Sequence, residues 1–317
     1  MLLRQVLEIV DLVDRPDASG EAVARLLRSR GYAEVVVRRV EGEQRDDGSR
    51  YGTDFLRLLV PGTRGKAAGG DAPTVGIIGR LGGVGSRPAA IGMVSDADGG
   101  VAAVAAALKL VEMSKAGDRL PGDVIIATHV CPNAPTLPHD PVPFQGSPVD
   151  MAAMNRFEVD PAMDAILSID TTKGNRILNL KGIAITPTVK EGWILRISED
   201  LLGLLEQVTG RPPAVLPLTM QDITPYGNGV FHLNSILQPA TATSAPVVGL
   251  AITAETAVAG CGTGASHPAD VELAARFAVE VAKAFTAGRC HFHDPAEFAR
   301  LLGLYGSMSG LQTAGAG

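Results

Sequence analysis

The chain has 317 residues and a mass of 32.8 kDa, with 28 Lys and Arg against 34 Asp and Glu, for a formal charge of −6. With 46% apolar and 20% charged residues, it is too hydrophobic and too weakly charged to remain unfolded. Aromatics are only 4%, and an acidic chain without a basic patch makes a nucleic-acid partner an unfavourable expectation.

Leu2, Leu3, Val6, Leu7, Ile9, Val10 and Val13 recur at helical spacing and predict an opening amphipathic helix that Pro16 ends. Ser19 caps a second helix over 20–30, closed by Gly31. Residues 34–40 read as a β-branched strand, 41–49 as a polar turn and 55–60 as another strand. A loose loop at 61–73 leads into a short buried strand at 74–78, and a glycine-rich loop at 79–88 follows. Asp98 or a neighbour starts an alanine-rich helix over 100–114, and 123–128 is a strand. Residues 129–149 hold six prolines and are not regular structure. Long irregular segments are functional or disordered, and His129 and His139 favour function here.

Strands at 165–169, 182–188 and 193–197 come next, then a helix at 199–210 stopped by Gly210, a strand at 247–253 and a long helix at 270–287. The alternation predicts an α/β fold, a mostly parallel or mixed sheet with helices on both faces. A single domain over 1–305 is expected, with a disordered tail at 306–317. The longest strongly apolar run, 101–108, is closed by Lys109 and is too short to span a bilayer, so no membrane partner is expected. Cys131, Cys261 and Cys290 are odd in number and far apart, which suits a reducing compartment; a cytoplasmic protein is expected.

Six places at the ends of predicted strands carry polar chemistry, the edge where open α/β sheets bind ligands. Gly79-Arg80-Leu81-Gly82-Gly83-Val84-Gly85 is a turn, a phosphate cradle of the wrong spacing, or a loop that sets Arg80 against a carboxylate substrate. Ser95-Asp96-Ala97-Asp98 precedes a helix, so its carboxylates either cap that helix or ligate a metal. In Thr128-His129-Val130-Cys131, His129 is a candidate ligand or general base. Cys131 is a nucleophile or an inert buried thiol. Asp170, before Thr171 and Thr172, needs a partner at the end of an apolar strand; Lys173 or a metal supplies it. The segment with Asp222, Tyr226, Asn228 and His232 suits a substrate loop or a decorated turn. His267, in a strand-to-helix loop, is a ligand or a surface residue.

The order of these pieces resembles cocatalytic zinc aminopeptidases of the glutamyl- or deblocking-aminopeptidase kind. The resemblance rests on Pro16-Asp17-Ala18-Ser19-Gly20-Glu21 with the Gly31-Tyr32 turn, and on Ser95-Asp96-Ala97-Asp98-Gly99-Gly100-Val101-Ala102-Ala103. It also rests on Asp170 ending its strand, and on Ser266-His267-Pro268 before a long helix. It implies a three-layer, zinc-aminopeptidase-like fold, with Asp96 in the place of a metal-bridging carboxylate and Asp170 and His267 in the places of terminal ligands. The span from Gly79 to Asp96 leaves no room for a lid domain. The pattern departs where the family has His-x-Asp and this chain has Gly79-Arg80-Leu81. It departs again where paired glutamates, one of them the general base, are replaced by His129-Val130-Cys131-Pro132.

Ser168-Ile169-Asp170-Thr171-Thr172-Lys173-Gly174-Asn175, with blocks beginning at Gly182 and Asp222, resembles more closely an uncharacterised bacterial family, domain of unknown function 1177. The leading expectation is a metal-dependent hydrolase of a small amide or peptide with a remodelled site. Asp96, Asp170, His129 and His267 would hold a divalent metal, zinc by resemblance, and His129 would act as base. Arg80, Asp98, Thr171, Lys173, Asp222, Tyr226, Asn228 and His232 would contact a small-molecule or peptide substrate. A homo-oligomer is expected by the same analogy. The alternatives are a non-catalytic binding or assembly protein on the same fold, and a thiol hydrolase using Cys131 with His129.

Overall fold

In the computed structural model, which describes residues 1–32, 34–44, 48, 50–80, 82–87, 90, 92–223 and 236–313, the apolar runs become the centre of one mixed sheet. Its strands are β1 (Val35–Gln44), β2 (Arg50–Val60), β3 (Val75–Gly79), β4 (Val124–Val130), β7 (Ala165–Thr171), β8 (Gly182–Ile185), β9 (Val189–Lys190), β10 (Trp193–Ile194) and β11 (Val247–Thr253). The order is β1-β2-β4-β3-β7-β11-β9-β10, with β8 also paired to β11. A separate small hairpin pairs β5 (Thr136–Leu137) with β6 (Phe144–Gln145). β4, β3, β7 and β11 run parallel, and every residue in them is buried. That two-sided burial explains why their sequences are continuously apolar rather than alternating.

Seven helices accompany the described strands: α1 (Leu3–Val13), α2 (Gly20–Ser29), α3 (Asp98–Lys115), α4 (Met151–Glu158), α5 (Glu199–Thr209), α6 (Pro268–Thr286) and α7 (Pro295–Tyr305). On one face α1, α2, α3, α5 and α6 enclose the larger core, including Val6, Ile9, Leu27, Leu108 and Phe277 against Ile77, Ile126, Leu167 and Leu250. On the other face Ile78, Ile125, Ala127, Ile166, Val247 and Ala251 meet Leu216, Ile223, Ile236 and Leu237. Neighbouring residues of β4, Ile125 and Ile126, thus serve opposite cores, as the pleat requires. α4 lies on this second face, where Phe157 stacks on Phe55 of β2 at 4.9 Å between ring centroids. The molecule is therefore a mixed α/β sheet with helices on both faces.

Local signals explain the helix ends. Ser19 accepts from Ala22 N at 3.3 Å, and Ser198 accepts from Leu201 N at 3.2 Å, each meeting an otherwise orphaned amide. Gly210 closes α5 in the left-handed conformation, φ +66°. Several expectations change. The segment 41–49 begins as strand, because β1 runs on to Gln44 through an irregularity. The proline-rich segment contains the β5–β6 hairpin. The strand expected at 193–197 is only Trp193–Ile194. α4 and α7 were not anticipated. The tail expected to be disordered is placed as far as Thr313: a 3-10 turn covers Ser309–Leu311, and Gln312 Nε2 donates to the carbonyls of Ala240 and Thr243 at 2.9 and 2.6 Å. Among the described residues no helix is long and apolar enough to cross a membrane.

Candidate functional site

The parallel strands deliver their C-terminal ends to one edge, and glycines let the start of α3 press against it. A Cβ on Gly99 would lie 2.6 Å from the Ile169 carbonyl and 2.7 Å from that of Arg80. The Ser95–Ala97 turn and Asp98 are thereby held over the ends of β3 and β7, and Thr171 Oγ1 ties them down by donating to the Ser95 carbonyl at 3.1 Å. Asp96, Asp98, Asp170, Thr171 and Lys173 are all brought to this edge, as the sequence led one to expect.

Two buried ion pairs occupy much of it. Arg80, only 1% exposed, points to the second face and forms an ion pair with Glu158 of α4, which is fully buried. The other oxygen of Glu158 receives His129 Nδ1 at 2.6 Å, and His129 Nε2 accepts from Gly82 N at 3.1 Å. That pattern fixes the neutral tautomer with hydrogen on Nδ1, because Nε2 must keep its lone pair for Gly82. Burial works against the Glu158 charge, yet Arg80 and His129 outweigh it and hold the carboxyl below its ordinary value. The second pair joins Lys173 to Asp98, both buried. Lys173 also donates to the Ala265 carbonyl at 3.1 Å, and Ser266 Oγ donates to the other Asp98 oxygen at 2.5 Å. Burial drives the Asp98 carboxyl upward against these partners.

Asp96 differs from both. It is 7% exposed, and its Oδ2 accepts one long hydrogen bond, 3.3 Å, from Gln145 N. Its Oδ1 faces the close approach of Gly260, where a Cβ would sit 2.2 Å away, and takes no hydrogen bond from a described residue. Burial, with Asp98 adding to it, pushes the Asp96 carboxyl up to about 6. Gln145, almost wholly buried, links the hairpin to this place: its Nε2 donates to the Gly85 carbonyl and Ser86 Oγ at 3.2 and 3.1 Å.

The remaining candidates fall as follows. Asp170 is buried, and its Oδ1 accepts from Thr171 N at 2.6 Å. His267 is exposed at the cap position of α6, on the side of Asp98. Asp222 turns inward onto Thr219, accepting from its N at 2.8 Å. Tyr226, Asn228 and His232 lie outside the described residues.

These positions correct several expected roles. His129 has neither ring nitrogen available, so it serves neither as metal ligand nor as base. Arg80 and Lys173 spend their charge on Glu158 and Asp98, and Asp98 spends its charge on Lys173, so none of the three offers an uncommitted charge to a substrate. Among the described residues no three His, Cys, Asp or Glu side chains gather around a common point that could hold a metal ion. The set Asp96, Asp170, His129 and His267 therefore does not fit a divalent cation. Cys131 is 1% exposed with its thiol pushed upward by burial, the reverse of what a nucleophile requires. Glu158 and Gln145 escaped the sequence reading. The signal for Glu158 was Asp150, an N-cap whose side chain accepts from Ala153 N at 2.7 Å, opening a helix that ends on that glutamate.

Comparison with known proteins agrees with this picture of the fold. The family profile described as a protein of unknown function, DUF1177, matches residues 44–315. No curated protein matches in sequence. Among solved structures, glutaminyl cyclase of Porphyromonas gingivalis superposes with a TM-score of 0.51 and 11% identity, over 88% of this chain and 95% of that one. Glutaminyl cyclase of Tannerella forsythia gives 0.52 and 11%, over 89% and 95%. A mutant of tomato leucine aminopeptidase gives 0.48 and 12%, over 87% and 61%, too loose a likeness to argue from. At such identities the likeness is one of fold alone.

Proposed function

The chain belongs to the DUF1177 family, and from its strand-edge geometry we propose that it binds a small amide-bearing molecule through Asp96, without a metal. The observation that supports this most is the contrast among its buried carboxylates. Asp98 and Glu158 are closed by Lys173 and Arg80, while Asp96, 7% exposed, has no hydrogen bond to its Oδ1 from a described residue. A carboxyl titrating near 6 is present in both forms around neutrality. Ionised, it accepts from an amide N–H; protonated, it donates to an amide carbonyl. An amide offers both groups, so amino-acid amides and short peptides suit it in either state.

Metal-assisted hydrolysis of the same substrates is the competing reading. In its favour, Asp96 and Asp170 share one edge with His267 in the order the resemblance implied. Against it, the additional ligands would have to come from groups now held by Gly82, Glu158 and Lys173.

The test titrates amino-acid amides and dipeptides onto the full chain, prepared without chelator and assayed for metal. Binding by the wild type, less than a stoichiometric amount of metal, and a loss of at least about tenfold in affinity for Asp96→Asn are expected, as for removal of one charge-assisted hydrogen bond. Unchanged affinity in Asp96→Asn, or binding that needs a stoichiometric zinc, overturns the proposal.

A further inference from the structure

The β5–β6 hairpin crosses the strand edge over Asp96. Its base rests on the glycine-rich loop, where Ala134 N donates to the Gly85 carbonyl at 3.2 Å and Gln145 Nε2 reaches the same carbonyl and Ser86 Oγ. Its tip lies beyond Asp96: a Cβ on Gly174 would meet Val142 Cγ2 at 3.0 Å, and Asp140 pairs with Arg176 at 3.7 Å. Between these supports Gln145 N donates to Asp96 Oδ2 at 3.3 Å, and the Pro143 carbonyl accepts from Cys261 Sγ at 3.4 Å. Cys261 directly follows Gly260, the residue that closes on Asp96 Oδ1. The hairpin thus bears on Asp96 itself and on the segment that flanks its other oxygen.

This cover is weakly held. The strands pair only Thr136 with Gln145 and Leu137 with Phe144, and a lone two-stranded hairpin is marginal in water. From Pro135 to Gly146 the one buried side chain is Gln145. The bonds to Asp96 and from Cys261 are long, and the Asp140–Arg176 pair is exposed on both sides, so it adds little. Segments with so little buried apolar contact open locally while the rest of a protein stays folded.

We infer that this hairpin is a strap that lifts to admit a ligand to Asp96 and is latched shut by Gln145. With Asp96 only 7% exposed, an amide reaches it when the strap moves, and closure then shields the ligand from water. The identity of the ligand rests on the amide reading above; the lifting rests on the hairpin's own contacts.

Cysteine alkylation tests the strap without a ligand. Lifting it uncovers Cys261, whereas Cys131 stays bonded through its backbone to Gly82 and Val84, and Cys290 stays in the larger core. All three thiols are buried in the closed form. The full chain is treated with iodoacetamide under native conditions, and each cysteine is followed by peptide mass spectrometry. Cys261 should react at least about tenfold faster than Cys131 and Cys290, and its rate should barely respond to low urea, while the other two follow global unfolding. Gln145→Ala should speed Cys261 at least about tenfold further and leave Cys290 unchanged. Three cysteines that react together in wild type overturn the strap, a result that stands even if Gln145→Ala fails to fold. A folded Gln145→Ala variant whose Cys261 reacts at the wild-type rate overturns the latch. Glycinamide should slow Cys261 by holding the strap down; a Cys261 that outpaces the other two yet ignores glycinamide would sustain the strap and count against the amide reading.

Discussion

Asp96 is a residue that the fold tolerates rather than exploits. A carboxyl moved from 3.8 in the open chain to about 6 in the folded one weakens the folded state by about 3 kcal/mol at neutral pH. The sign follows from proton binding. Between pH 4 and 6 the folded form holds more protons than the unfolded one, so the stability this group lends is complete below pH 3.8 and gone above pH 6. Asn is neutral at every pH and still accepts from Gln145. Asp96→Asn should therefore match the wild type at pH 4 and exceed its unfolding free energy by roughly 3 kcal/mol at pH 7.5, measured by urea denaturation. A variant less stable than wild type at pH 7.5 would show that Asp96 is a structural group. A residue that costs stability yet presents an unbonded oxygen is what a binding site is expected to contain.

At the scale of elements, the site depends on how closely α3 approaches the strand ends. Gly99 permits it, since backbone oxygens of Ile169 and Arg80 fill the space a side chain would need. Backbone cannot swing aside, so Gly99→Ala should lose about 3 kcal/mol or more. Gly203 in α5 has nothing within 4 Å of its missing Cβ. Gly203→Ala should gain about 0.5–1 kcal/mol from the helical propensity alone. Urea midpoints of the two variants that moved in the same direction would contradict this account. The same elements show why sequence reads some structure and not the rest. The parallel strands are apolar runs that only two-sided burial explains, so they were legible. α4, eight residues long, directly follows a segment broken by six prolines, and its one clear mark is the Asp150 cap. α7 carries a better signal in Asp294-Pro295, a cap followed by proline at the first helical position.

Across the whole molecule, the order of motifs located the edge but not its chemistry. Asp96, Asp98, Asp170 and Lys173 could be assigned to it because each ends a strand or opens a helix. That Arg80 would turn away and pair with Glu158 could not, because the pairing spans 78 residues and depends on where α4 docks. This pairing does more than fill a gap: Arg80 after β3, His129 in β4 and Glu158 in α4 bind the second layer to the sheet. Removing the shared carboxylate strands a buried guanidinium, so Glu158→Gln should cost about 3–5 kcal/mol at pH 7. The cost should depend on pH in a definite direction. The Glu158 carboxyl is held below its ordinary 4.5, so its contribution is present above that value and is lost as pH falls through the lower folded one. Urea unfolding of wild type and variant at pH 7 and again near pH 3 should thus show a deficit that shrinks in acid. A deficit below about 1 kcal/mol at pH 7 would make the pair incidental, and one unchanged in acid would assign the loss to packing instead of charge.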